Sequence, residues 1–218
     1  MKQFVPNFAG RPWPDGASVL HVYALPDLRV DRDLGVLVEE CRTAMKPFPI
    51  LPLSDDLLHI TVEMVSDVTS DHITATERAE LVTGLRKSLA GVPSFQVLAG
   101  SPVANKAGAY LDCWPDEDLH ALHSAVRTAL RTARGTDAVQ YGNGRPHCSL
   151  GYSYADAESD LLQSAFRKIS PSHASYTVRS VDLVDVTFTR TTPSTARSDT
   201  AWEFSFTSVA TIPLADAA

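Results

Sequence analysis

Two stretches decide how this chain is read: LHITVEMV (58–65) and RPHCSLGYSY (145–154). The first carries four β-branched residues, Ile60, Thr61, Val62 and Val65, and the second two tyrosines, Tyr152 and Tyr154. Each follows a loop-forming run, ILPLSDDL (50–57) in one case and GTDAVQYGNGRP (135–146) in the other, so each is read as a strand. Side chains alternate across a strand, so positions i and i+2 share a face. The first stretch then shows His59, Thr61 and Glu63 on one side and Leu58, Ile60, Val62 and Met64 on the other. The second shows His147, Ser149, Gly151 and Ser153 on one side and Cys148, Leu150, Tyr152 and Tyr154 on the other. Each strand offers an imidazole beside a hydroxyl, backed by an apolar face that can enter a core.

That pairing suits a phosphodiester. In-line displacement needs one group to take a proton from the nucleophile and another to give a proton to the leaving oxygen. Two histidines can divide those tasks near neutral pH, because the unperturbed imidazole pKa is about 6.5. Hydroxyl donors aimed at non-bridging oxygens can stabilise charge that grows in the transition state, and Thr61 and Ser149 are placed for this. A single His-x-Thr in a strand is a weak signal, because polar pairs in strands are commonly structural. Its repetition in two strands of the same local pattern is what carries weight.

Outward from these strands, ASVLHVYALP (17–26) reads as a strand ended by Pro26. Apolar residues at helical spacing (Leu34, Leu37, Val38, Cys41, Met45) predict a helix over 30–45. Further helices are expected over 74–89, with Thr76 as a candidate cap, over 117–134, and over 155–169. Short strands are expected at 94–98 and 109–114, and long ones at 176–188 and 202–212. The polar run RTTPSTARSDT (190–200) reads as an exposed loop, and residues 1–16, with Pro6, Pro12 and Pro14, as an irregular lead-in to one domain over 17–218. Helices and strands mix without strict βαβ order, which predicts α+β and not a doubly wound parallel sheet. A weak twofold theme runs through the chain: each half has a His-x-Thr or His-x-Ser strand followed by a helix.

Hydrophobic residues make up 44% and charged residues 21% of the 218 positions, as in an ordinary folded chain. The net charge of -7 argues against broad binding to a nucleic-acid backbone, while leaving room for a nucleotide or a single phosphate. Three cysteines at no metal-ligand spacing suit a reducing compartment, and neither a signal-peptide pattern nor a membrane-length apolar run is present. The expectation is a cytoplasmic monomer with no membrane partner.

LHITVEMV and RPHCSLGYSY resemble the paired H-x-[ST]-x motifs of the 2H phosphoesterase superfamily, which includes the 2′-5′ RNA ligase-like proteins and cyclic nucleotide phosphodiesterases. The likeness spans the order of elements from about 17 to 212, with the two motif histidines 88 positions apart (59 to 147). It implies a bilobal α+β fold, two similar lobes with antiparallel sheets around a central cleft. It implies that His59 and His147 are the acid and base, that Thr61 and Ser149 bind phosphate, and that neither metal nor cofactor is needed. The implied reaction is opening or forming a cyclic phosphodiester on a nucleotide or RNA end. Cys148, where an aliphatic residue is usual, and Glu63, on the face of His59, depart from the commonest pattern.

Other residues leave alternatives open. Arg145, two before His147, is either a phosphate contact or a surface loop arginine. Tyr23, with His21, either lines the cleft and touches substrate or belongs to the core, and Tyr152 either stacks a base or packs. His120 and His123, at i, i+3, lack the acidic or thiol companions of a metal site and are expected at the surface. Cys148 is adjacent to His147 but should point the other way. The competing functions are a nucleotide- or RNA-binding module without turnover, and a metal-dependent hydrolase.

Overall fold

The computed structural model describes residues 1–140, 142, 144–192 and 201–216. The chain opens with a small hairpin, β1 (Asn7–Phe8) and β2 (Arg11–Pro12). Then β3 (Ser18–Ala24), an almost wholly buried run of β-branched and aromatic residues, leads into helix α1 (Arg32–Met45). The predicted apolar stripe of α1 is what it buries. Strands β4 (Ile50–Pro52) and β5 (Ile60–Met64) follow, then α2 (Ala75–Leu89). Its cap is Thr74, not Thr76. The Thr74 hydroxyl accepts from the Glu77 N–H while the Glu77 carboxylate accepts from the Thr74 N–H, a capping box that Thr76, inside the helix, cannot form.

Next come β6 (Phe95–Ala104) and β7 (Gly108–Trp114), then α3 (Asp116–Arg134), acidic in its first turn and basic in its last. The remaining elements are β8 (His147–Ser153), α4 (Ser159–Phe166), β9 (His173–Val178), β10 (Ser180–Thr191) and β11 (Ala201–Pro213). The expected loop at 190–200 lies mostly outside the described residues.

All the larger strands join one curled antiparallel sheet in the order β11-β10-β3-β5-β8-β7-β6-β9, with β4 paired on β8. The two motif strands, β5 and β8, meet at its centre. On one side lie β3, β10 and β11, with α2 packed on β11 and α3 on α2 and β5; on the other lie β7, β6 and β9, with α1 and α4. Each half thus borrows a helix: α1 follows β3 but packs on the far half, and α3 follows β7 but packs on the near one. This is the expected α+β architecture of two similar halves around a centre, built on a continuous sheet.

The expected single strand over 176–188 is two strands. Within one residue, Arg179, the chain leaves β9, paired with β6, for β10, paired with β3 and β11. Arg179 is fixed there by Asp31, with Nη1 3.0 Å from Oδ2. One residue spans at most about 3.6 Å, so the two ends of the sheet lie close together. The N–H of Leu214 donates to the Arg179 carbonyl, and that of Ala215 to Val92, which ties them further.

The N-terminal segment is more ordered than a lead-in. Phe8 and Trp13 are buried, and Phe4 N–H donates to the Ser153 carbonyl at 2.8 Å. Its prolines exclude a long strand or helix. Its aromatic residues nonetheless bury apolar surface, which offsets the entropy of ordering it.

Candidate active site

Ile60 of β5 stands opposite Cys148 of β8 in antiparallel register. The same register sets His59 opposite Ser149 and Thr61 opposite His147. The Ser149 N–H donates to the His59 carbonyl at 3.2 Å. Four side chains therefore form a square on one face, with the histidines on a diagonal, where Cβ atoms typically lie about 7–8 Å apart. That is a span across which two imidazoles can flank one phosphate.

Both histidines are oriented alike. Nδ1 of His59 lies 2.8 Å from the Leu57 carbonyl, and Nδ1 of His147 lies 2.8 Å from the Arg145 carbonyl. A carbonyl only accepts, so Nδ1 carries the hydrogen and Nε2 is left for chemistry. Their surroundings differ. His59 is 2% exposed, with Tyr23 (4.3 Å) and Phe204 (4.8 Å) each stacked against its ring, and burial pushes its pKa down to about 4. His147 is half-buried against Tyr110 and lines a cleft of about 300 Å³ together with Thr61, Arg145, His21 and Asn7. The cleft reaches one histidine of the diagonal directly, while the other lies beneath an aromatic layer. Phe204 reaches His59 across two intervening strands because the sheet curls toward this face.

Beyond the motifs the alternation breaks, at the same point in both strands. In β5 the pairing with β3 shifts between Thr61 and Glu63, so that Thr61 faces Tyr23 while Glu63 faces Val22. In β8 the pairing with β7 shifts between Ser149 and Gly151. Each is a β-bulge, one extra residue that reverses which face the following side chains occupy. Three expectations are corrected as a result. Glu63 turns from the face of His59 toward α3 while still bordering the cleft, Met64 joins the cleft lining, and Tyr152 comes to the same side as Ser149.

The two tyrosines end in equivalent places. Tyr23 is hydrogen-bonded to Thr61 and Tyr152 to Ser149. Burial holds the Tyr152 phenol up at about 12 and the Tyr23 phenol well above its ordinary value, so both stay protonated. A protonated phenol can donate to its neighbour hydroxyl, leaving that hydroxyl's own hydrogen free for a ligand oxygen.

Arg145 lies on the rim, largely exposed and paired with Asp112. His21 is both buried and at the cleft, with Nδ1 3.0 Å from the Val19 carbonyl and its pKa lowered to about 4 by burial. His120 and His123 both border the cleft; His120 is exposed, as expected for the pair, but His123 is half-buried. His123 Nε2 lies 3.1 Å from the Glu63 carboxylate, which also accepts from Arg127 at 2.9 Å. The Glu63–Arg127–His123 cluster was invisible to sequence reading, because only the bulge turns Glu63 toward α3. Among the described residues no group of His, Cys, Asp and Glu is arranged to hold a metal ion.

Cys148 is buried on the opposite face from the histidines, and burial pushes its thiol up to about 12. Cys148→Ala is expected to keep kcat/KM within about threefold of the parent and to cost on the order of 1 kcal/mol of stability. Steady-state kinetics with a urea titration check this. A folded variant without activity would reverse the assignment of faces.

The model of the 2'-5' RNA ligase superfamily matches residues 30–187, well over half of the chain. No curated protein matches the sequence significantly. Among solved structures, the Thermus thermophilus protein TT0787 is similar with a TM-score of 0.65 at 14% identity, over 91% of this chain and 98% of that one. E. coli LigT complexed with 3'-AMP is similar with a TM-score of 0.60 at 15% identity, over 91% of this chain and 98% of that one. LigT complexed with phosphate gives 0.59 at 16%, over 92% and 99%. At such identities the likeness is one of fold.

Proposed function

The chain belongs to the 2'-5' RNA ligase superfamily, and from that footing we propose that it is a metal-independent phosphoesterase that opens a cyclic phosphodiester on a nucleotide or RNA end by paired-histidine acid–base catalysis. The observation that carries this reading is the square of His59, Thr61, His147 and Ser149 on one face of β5 and β8. A nucleotide as the substrate class is supported by the LigT relative's complex with 3'-AMP.

The environments of the histidines divide the roles. His59, neutral at pH 7 because of burial, takes a proton from water at Nε2 as the water attacks phosphorus. His147, at the cleft, gives a proton to the departing ribose oxygen as the P–O bond breaks. Thr61 and Ser149, oriented by Tyr23 and Tyr152, donate to the non-bridging oxygens, and Arg145 approaches the phosphate from the rim. Run in reverse, the roles exchange and a bond is formed.

The test is turnover of 2′,3′-cyclic nucleotides and of oligonucleotides with cyclic ends, before and after exhaustive chelation. Turnover unchanged by EDTA is the expected result. Loss with EDTA and rescue by Zn²⁺ or Mn²⁺ would favour a metal-dependent hydrolase. Tight nucleotide binding with no turnover of any cyclic phosphate would favour a binding module.

A further inference from the structure

The N-terminal segment lies on the same face as the square. Phe4 stacks on Tyr152 at 4.3 Å and touches Phe188 at 5.4 Å. Trp13 stacks on His21 at 6.4 Å and meets Phe188 edge-on at 5.0 Å. Between them Asn7 lines the cleft. Backbone bonds anchor the start of the segment: Lys2 N–H donates to Lys106, Phe4 N–H donates to Ser153, and the Ser153 hydroxyl donates back to the Lys2 carbonyl. The segment runs from the β8 side of the square, where Phe4 sits, to the β3 side, where Trp13 sits.

Of this segment Asn7 borders the cleft, and Phe4 stacks on Tyr152, a wall of two further cavities. Three cavities lie around the square. The cleft of about 300 Å³ ends at His147. A pocket of about 40 Å³ lies between His147, Ser149 and Tyr152, and another of about 340 Å³ lies beyond, bounded by Tyr152, Phe204 and Trp202. Neighbouring cavities share a wall, His147 in one case and Tyr152 in the other. Phe4 stands on the second of those walls.

We propose that residues 1–16 are a specificity element, a strap that closes the groove on one side of the paired histidines so that a terminal cyclic phosphodiester fits and an internal linkage of a longer strand does not. This rests on the proposed reaction. A cyclic phosphate at a chain end needs space on one side of the phosphorus only, which the open cleft supplies. An internal linkage must continue on both sides, and the second direction meets Phe4 and Trp13.

The experiment compares the parent with the Phe4→Ala/Trp13→Ala double variant, with Phe4→Ala alone as the milder opening should the double variant not fold. The substrates are 2′,3′-cyclic AMP and a short oligoribonucleotide with one internal 2′-5′ linkage. Opening the strap should raise kcat/KM on the oligonucleotide relative to cyclic AMP by at least about tenfold, through a lower KM, since relief of a modest steric block has that effect on an equilibrium. The rate on cyclic AMP should change little. An unchanged ratio in a folded variant overturns the strap. The same comparison is made in binding, with 3'-AMP against an unmodified oligoribonucleotide. A parent inert toward both substrates would overturn the proposed reaction, while the binding ratio would still decide whether the strap excludes a continuous strand.

Discussion

His59→Ala and His147→Ala should each lower kcat/KM on a true substrate by about 10²–10⁴-fold, the range of a single general acid or base. The pH profile should identify which histidine does which task. A base must be unprotonated, so activity is lost as pH falls through its pKa; an acid must be protonated, so activity is lost as pH rises through its own. His59, held down at about 4 by burial, places the acidic limb of kcat/KM well below the usual imidazole range. The alkaline limb belongs to the general acid. Since kcat/KM reports the free enzyme and kcat the complex, a bound phosphate should move the acidic limb of kcat upward, because the anion favours the protonated ring. His59→Ala should erase the acidic limb and His147→Ala the alkaline one. The double variant should lose less than the product of the single losses, because the pair works as a unit. If either folded single variant kept near-parent turnover and both limbs, the paired-histidine mechanism would be wrong. An acidic limb near 6.5 that vanished in His147→Ala would instead exchange the two roles.

The residues of this mechanism were legible in the sequence only as far as strand alternation holds. His59, just before β5, and Thr61 both meet Tyr23, and His147 with Ser149 lie two apart in β8 before its bulge, so each pair shares a face as expected. One residue later a bulge in each strand reverses the faces. In β5 nothing in the residue types marks it, because Val62 is an ordinary strand residue; in β8 the one signal is Gly151, next to Leu150. Glu63, Met64 and Tyr152 were therefore placed on the wrong sides by a rule that was right for their neighbours. The passage from β9 to β10 failed for a related reason. Arg179 carries no glycine or proline signal, and what turns the chain is its distant partner Asp31. The order of residues 1–16 hid behind their prolines, which forbid long elements but do not forbid burial of Phe8 and Trp13. Helices α1 and α3 were clear because their apolar spacing continues over three or more turns without interruption.

Glu63 gives the second large effect, on stability. Its side chain is only 6% exposed and faces Arg127, 17% exposed, and His123 across the junction of β5 and α3. Arg127 also donates to the Val139 carbonyl at 3.0 Å, so this one guanidinium joins β5, α3 and the loop after α3. Burial holds His123 below its ordinary pKa although Glu63 pulls the other way, so its contact is that of a neutral N–H with a carboxylate, and the charge of Glu63 is balanced chiefly by Arg127. Glu63→Ala leaves that guanidinium largely buried without its counter-charge. Removing one partner of such a pair costs about 3–5 kcal/mol. At about 2–4 °C per kcal/mol for a chain of this size, the unfolding midpoint should fall by on the order of 10 °C. Glu63→Gln keeps an acceptor for one of the two donors and should lose less. Replacing both charges, Glu63→Leu with Arg127→Met, should recover much of the loss, because the cost lies in the orphaned charge more than in the missing attraction. A double-mutant cycle by urea unfolding reads the coupling directly. A coupling below about 0.5 kcal/mol would show that water reaches Arg127 and that α3 is held to β5 by its apolar stripe alone. A large coupling, with kcat/KM falling in Glu63→Gln but KM for cyclic AMP unchanged, would show that this ion pair on the helix face also sets the position of the strand that carries His59 and Thr61.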